Sequence, residues 1–200
     1  KFTPPPSYPI YLESKRKLYL PRYWALDNLG PPEKFCVNEG TSIDIKFTGS
    51  LRPVQEEAVS AYMKNCYPEY GGGILCLGCG FGKTIISLYL LSMLKKKTLV
   101  IVHKEFLLNQ WIERIKAFLP DAQVGRIQAK TFDIAGKDIV IGMLQSLSMK
   151  EFEEGAFDSF GTVIVDEAHH ISSEVFSRSL PKVSFKYTIG LTATPNRADG

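Results

Sequence analysis

The spacing of apolar and polar residues changes several times along this chain, and each change predicts an element. Ile43-Asp44-Ile45-Lys46-Phe47 alternates strictly, the pattern of a half-buried strand. From Leu51-Arg52-Pro53 the spacing turns helical through Val54, Ala58, Val59 and Tyr62, with Pro53 tolerable only in the first turn. Pro68 and Gly71-Gly72-Gly73 break that helix. Ile74 to Leu77 is a short apolar run the size of a buried strand, and Ile85 to Leu94 is an apolar helical stretch. Thr98 to Val102 reads as a strand. Lys104 to Phe118 reads as an amphipathic helix that turns Phe106, Leu107, Trp111, Ile115 and Phe118 inward. A weak strand over Val124 to Ile127 follows, then stronger ones over Asp138 to Gly142 and Thr162 to Val165. A helix over Ser173 to Leu180 and a strand over Tyr187 to Leu191 complete the series. Strands interleaved with helices predict an α/β fold with a mainly parallel sheet covered on both faces. Such sheets hold ligands at the carboxyl ends of their strands.

The chemistry gathers at those ends. Between the strand ending at Leu77 and the helix starting at Ile85 lie Gly78, Cys79, Gly80, Phe81, Gly82, Lys83 and Thr84. Glycines let successive backbone N–H groups converge on an anion, and the helix N-terminus adds its positive dipole end. Lys83 would reach the outer phosphates of a nucleotide, and the Thr84 hydroxyl would ligate Mg²⁺. The strict G-x-x-x-x-G-K-[ST] pattern puts glycine at position 77, where this chain has Leu77. A glycine-rich turn is the plainer reading of the loop taken alone. Asp166-Glu167 directly after the third strong strand changes that balance: Asp166 is placed to hold Mg²⁺ and Glu167 to orient or deprotonate a water. An acidic helix cap would explain either residue alone. The ordered pair of signals points to a bound nucleotide.

Composition adds limits. The 200 residues suffice for one good-sized domain with a small appendage. A net charge of only +3 means that any nucleic-acid surface must be a local patch. Tyr11 to Trp24 offers one, with Lys15-Arg16-Lys17 among Tyr19, Arg22, Tyr23 and Trp24. A solvated loop whose aromatics pack on the main domain accounts for the same residues and is the favoured reading. The four cysteines make neither a disulfide framework nor a zinc set, since the Cys76-x-x-Cys79 pair has no second pair at metal spacing. They fit reduced thiols in an intracellular, cytoplasmic or nuclear setting. No signal peptide or membrane span is legible.

With these residues in view, the chain resembles the first RecA-like domain of a superfamily-two helicase, particularly XPB-like and UvsW-like DNA translocases and helicases of large DNA viruses. Leu77-Gly78-Cys79-Gly80-Phe81-Gly82-Lys83-Thr84 is similar to that group's phosphate loop, which also lacks the first glycine. Leu51-Arg52-Pro53-Val54-Gln55 resembles the upstream motif that implies an adenine contact for Gln55, with Arg52 beside the nucleotide. His103-Lys104 through Gln110-Trp111 resembles motif Ia, and Gln145-Ser146 a further motif. Both imply contact with a nucleic-acid backbone. Asp166-Glu167-Ala168-His169 matches motif II, and Leu191-Thr192-Ala193-Thr194-Pro195 matches motif III, which implies coupling roles for His169, Thr192 and Thr194.

Singly, each has a bland explanation: Gln55 solvated on a helix face, Trp111 in the core, His169 and His170 packed, the threonines at any strand end. Together they imply ATP and Mg²⁺ as cofactors, DNA rather than RNA as partner, and a second RecA-like domain of the same protein. The resemblance covers residues 51–200, and residues 1–50 are expected to form a small N-terminal extension. A chain that starts at Lys1 and stops just past motif III is expected to be a monomeric fragment of a longer protein, nearly inactive alone. A P-loop kinase, a transport ATPase or a catalytically silent binding module are the competing readings.

Overall fold

The computed structural model describes residues 9, 11–34, 36–65, 71–170 and 185–194. They fall into two units, Lys1–Cys36 and Val37–Gly200. In the smaller unit, β1 (Leu12–Glu13) pairs antiparallel with β2 (Leu18–Tyr19), and α1 (Arg22–Leu29) follows. The Ser14 backbone N–H donates to Lys17 O at 2.8 Å and the Lys17 N–H to Ser14 Oγ at 3.1 Å, closing a turn that presents Lys15, Arg16 and Lys17 to solvent. Tyr11, Tyr19 and Trp24 are about half exposed, and α1 buries none of its residues.

The larger unit runs α2 (Pro53–Asn65), β3 (Gly72–Cys76), α3 (Lys83–Leu94), β4 (Thr98–Val102), α4 (Glu105–Phe118), β5 (Val124–Gln128), β6 (Thr131–Asp133), β7 (Ile139–Met143), α5 (Leu144–Met149), β8 (Thr162–Asp166) and β9 (Tyr187–Thr192). Seven strands form one sheet in the order β3-β9-β8-β4-β7-β5-β6, all parallel except the β5–β6 pair. The central strands read Thr-Leu-Val-Ile-Val, Ile-Val-Ile-Gly-Met and Thr-Val-Ile-Val-Asp, the near-continuous apolar runs that a strand buried on both faces requires. Alternate residues serve opposite faces. Val100, Val102, Ile139, Ile141 and Ile164 pack with Leu88, Leu91, Leu108 and Trp111, whereas Leu99, Ile101, Val140, Val163 and Val165 pack with Leu147, Phe157 and Phe160. The expected α/β sheet, covered on both faces, is the observed one.

Four expectations change. Ile43 and Ile45 are buried as their alternation requires, yet Ile43–Phe47 forms no strand, and only Ser42 bridges to Lys96 beside it. The period reports burial against α3 and α4: Phe47 stacks on Phe118 at 5.4 Å and meets Tyr89 edge-on at 5.3 Å. Residues 37–50 accordingly belong to the larger unit, so its boundary falls earlier than residue 51. The run Ile74–Leu77, read as a buried strand, falls at the end of β3, an edge strand of the sheet, with Leu77 just past it, and Ile74 is 63% exposed. Finally, α4 begins at Glu105 and turns Leu108, Trp111 and Ile115 inward, leaving Phe106 62% exposed on the other side.

The sequence reading also missed α1, β6 and α5. The helix expected over Ser173–Leu180 lies outside the described residues. Among the described residues no helix is long and apolar enough to cross a membrane.

Candidate active site

Parallel pairing brings the candidate residues to one end of the sheet. Cys76, the last residue of β3, is in register with Thr192 on β9, and Asp166 at the end of β8 with Leu191. The phosphate-loop segment therefore leaves β3 beside the end of β9, whose other neighbour carries Asp166. Gly80 and Gly82 have φ of +80° and +83°, the left-handed conformation that glycine adopts without a Cβ penalty. A Cβ at Gly82 would lie 2.5 Å from Gln55 Nε2, so that side chain would have to shift.

Gln55 is 3% exposed, which removes the solvated reading. Its Oε1 accepts the Arg52 N–H at 2.9 Å and its Nε2 donates to Phe81 O at 2.9 Å. Arg52 donates to the same Phe81 carbonyl at 2.7 Å and to Gly80 O at 3.3 Å. Both side chains implied to contact the nucleotide thus brace the loop. Lys83 opens α3, and its ammonium donates to Leu77 O at 2.9 Å and Gly78 O at 3.4 Å, at the root of the same loop. Thr84 is half-buried one residue on, while Gly78, Cys79 and Phe81 are exposed.

Asp166 is 8% exposed. Its Oδ2 accepts the Trp111 indole N–H at 2.9 Å and its Oδ1 the Glu167 backbone N–H at 3.0 Å. Burial pushes the carboxyl's pKa above its ordinary value. The Trp111 hydrogen bond opposes that rise, the Glu167 charge adds to it, and the Glu167 N–H and Lys83 oppose it. A raised folded-state pKa means that ionisation costs stability. The cost is absent where both folded and unfolded carboxyls are protonated, grows as pH rises through the ordinary carboxylate range, and is complete above the raised value. Asp166→Asn removes the ionisation cost but leaves one acceptor oxygen for two N–H donors, so its change in Tm is expected to be more favourable at pH 7 than at pH 4. Scanning fluorimetry at the two pH values checks it, and a change independent of pH would count against it.

Glu167 sits in the left-handed region at φ +55°, uncommon for a residue with a Cβ and characteristic of functional sites. Its Oε2 lies 3.3 Å from His169 Nδ1, which lies 3.2 Å from Thr192 Oγ1. The Thr192 hydroxyl donates to Thr194 O at 2.8 Å and accepts the Thr194 N–H at 3.1 Å. His169 Nδ1 thus faces both Thr192 and Glu167, and with a proton on it could donate to either oxygen. The three residues expected to couple the site form one continuous chain ending on Glu167. His170 offers no comparable observation, because its side chain is outside the described set.

The nucleic-acid candidates divide. His103 and Lys104 follow β4, and Gln145 Nε2 donates to His103 O at 3.4 Å, joining the loops after β4 and β7. Lys104 is exposed at the start of α4. Burial, then the neighbouring Lys104 charge, hold the His103 imidazole below its ordinary pKa. Ser146 Oγ accepts the Ala129 N–H at 3.0 Å, a structural contact, and Gln110 is exposed further along α4. Sequence reasoning missed the tie between Trp111 and Asp166. Helical period marks Trp111 as core, and nothing in the sequence shows where its N–H points.

The sequence profile of the type III restriction enzyme res subunit matches residues 48–197. The chain belongs to this family. A candidate ATP-dependent RNA helicase of Acanthamoeba polyphaga mimivirus is 37% identical over 195 residues, covering 96% of this chain and 37% of that protein. The DNA 3'-5' translocase XPB2 of Sulfurisphaera tokodaii is 36% identical over 156 residues, covering 78% of this chain and 33% of that protein.

This res-subunit family member spans about a third of the length of those relatives. Its fold matches the Sulfolobus solfataricus SWI2/SNF2 ATPase core in complex with dsDNA (TM-score 0.62, 21% identity, 82% of this chain and 36% of that one). It also matches the UvsW helicase of bacteriophage T4 (TM-score 0.59, 19% identity, 75% of this chain and 56% of that one). The fold is the one these ATPase and helicase cores share.

Proposed function

We propose that the chain is the ATP-binding half of an ATP-dependent DNA helicase or translocase. One observation carries the reading: Lys83, Asp166 and the Glu167–His169–Thr192 chain stand together at the carboxyl edge of three adjacent strands. A structural glycine turn needs neither the acidic pair nor the strained Glu167 beside it.

The residues fit a Mg²⁺–nucleotide. Thr84 and Asp166 offer hard oxygen donors, and among the described residues no group of three or more His, Cys, Asp or Glu forms a cage of its own. That suits an ion held by one or two protein oxygens plus phosphates. When bound, Mg²⁺ would offset charge on the phosphate oxygens. For its part, the chain positions the nucleotide with the loop N–H groups and Lys83. Glu167 is placed to hold the proton of a water, and His169 fixes the Glu167 carboxylate. A second RecA-like domain is proposed to close over this face and complete the charge compensation, as alternating closure requires.

DNA is favoured over RNA by the phosphate loop's similarity to XPB-like enzymes and by the relative named as a DNA translocase. Viral relatives named as RNA helicases make the opposite result the informative alternative. Lys104, on the same edge, is proposed to contact backbone phosphate without reading bases. In the longer protein, Lys104→Ala is expected to weaken binding equally across sequences. It should also lower the salt slope by about 0.7–0.9, one phosphate's worth. Binding and ATPase stimulation measured with DNA and with RNA at several salt concentrations test both points. Stimulation by RNA alone would reverse the substrate assignment, and an unchanged slope would remove Lys104 from the interface.

A further inference from the structure

We infer that Trp111 is a positioning residue for Asp166: its indole N–H sets the orientation in which that carboxylate meets a nucleotide-bound metal. The inference rests on the reading of Asp166 as the Mg²⁺-holding residue. Trp111 lies in the middle of α4, 1% exposed and among the largest fully buried side chains. For packing alone, a phenylalanine or leucine would serve at such a position. What distinguishes tryptophan is one polar atom, and that atom lies 2.9 Å from Asp166 Oδ2 in a buried contact. A buried indole N–H needs an acceptor and a buried carboxylate needs donors, so each group satisfies the other.

Two features make the contact a positioning one. The terminal torsion of an aspartate is broad, with no sharp intrinsic preference, so its hydrogen bonds decide how the carboxylate faces. Here both oxygens are engaged: Oδ2 by Trp111 and Oδ1 by the Glu167 backbone N–H at 3.0 Å. The second donor belongs to a residue held at φ +55°. Loss of the indole N–H would leave the carboxylate held by the Glu167 N–H alone, able to turn about that one contact. A donor to a metal-holding carboxylate is typically worth about 10–100-fold in metal affinity.

The test is the Mg²⁺ dependence of binding of a fluorescent ATP analogue, measured without turnover. Trp111→Phe keeps most of the buried ring and removes the N–H. It is expected to raise the Mg²⁺ concentration for half-maximal binding about tenfold while leaving affinity in EDTA unchanged. Leu108→Ala, a packing loss on the same helix, is expected to leave that midpoint where it is. An unchanged midpoint in Trp111→Phe overturns the inference. A second measurement needs no change at Trp111. The chain has two tryptophans, so in ¹⁵N-indole spectra Trp24→Phe assigns both resonances. The Trp111 resonance is expected to move on adding Mg²⁺ with nucleotide and to stay still with nucleotide in EDTA. No metal-dependent movement, where metal-dependent binding is present, also overturns it. Absence of any metal-dependent nucleotide binding in the unmodified chain would instead overturn the reading on which it rests.

Discussion

Replacing Lys83 by alanine is expected to abolish ATP hydrolysis in a protein that carries the proposed second domain and to weaken nucleotide binding, whereas Glu167→Gln keeps binding and stops hydrolysis. The two outcomes differ because the proposed roles fall at different moments. Lys83 places its ammonium at the root of the phosphate loop, donating to Leu77 O and Gly78 O, and its charge is proposed to serve the bound nucleotide before any reaction. Glu167 is held by its backbone conformation and by His169 Nδ1 at 3.3 Å. A positioned base contributes about 10²–10⁴ in rate, and glutamine at position 167 removes that without disturbing phosphate contacts. Equilibrium binding beside single-turnover hydrolysis separates the roles. Equal loss of binding in both variants would refute the assignment.

The second large effect concerns the proposed closing domain. Residues 1–200 alone are expected to turn over ATP near the background rate even with saturating DNA. A protein that carries the proposed second domain should be faster by about 10³–10⁵, the contribution of one arginine placed on the γ-phosphate. Gly78, Cys79, Gly80 and Phe81 are exposed, so water reaches the loop and weakens each electrostatic contact made there. Phosphate release measured over a dilution series compares the two. Robust DNA-stimulated turnover by residues 1–200, surviving dilution and so not due to dimers, would overturn the two-domain requirement.

How much of this was legible follows from what each signal depends on. Runs such as Thr98–Val102 and Thr162–Val165 announce central strands, because only a strand covered on both faces is apolar throughout. The glycine loop and Asp166-Glu167 were legible because their backbone and charge requirements are local. Ile43–Phe47 misled, since alternation reports which side chains are covered and says nothing of a hydrogen-bonded neighbour. Phe106 misled because an aromatic near a helix start fits either face until the first turn is fixed at Lys104. Short elements such as β6 and α5 carry too few residues for a period to show.

Contacts between distant segments were beyond the sequence altogether. Gln55 bracing Phe81 O and Trp111 meeting Asp166 depend on how the helices lie on the sheet.

The most direct test of the central claim is a calorimetric titration of residues 1–200 with ATP, with Mg²⁺ and with EDTA, repeated on Lys83→Ala. The nucleotide-site reading predicts binding that strengthens with Mg²⁺ and is weakened by the substitution. Affinity unaffected by metal and by Lys83→Ala, or no binding under any condition, would contradict it.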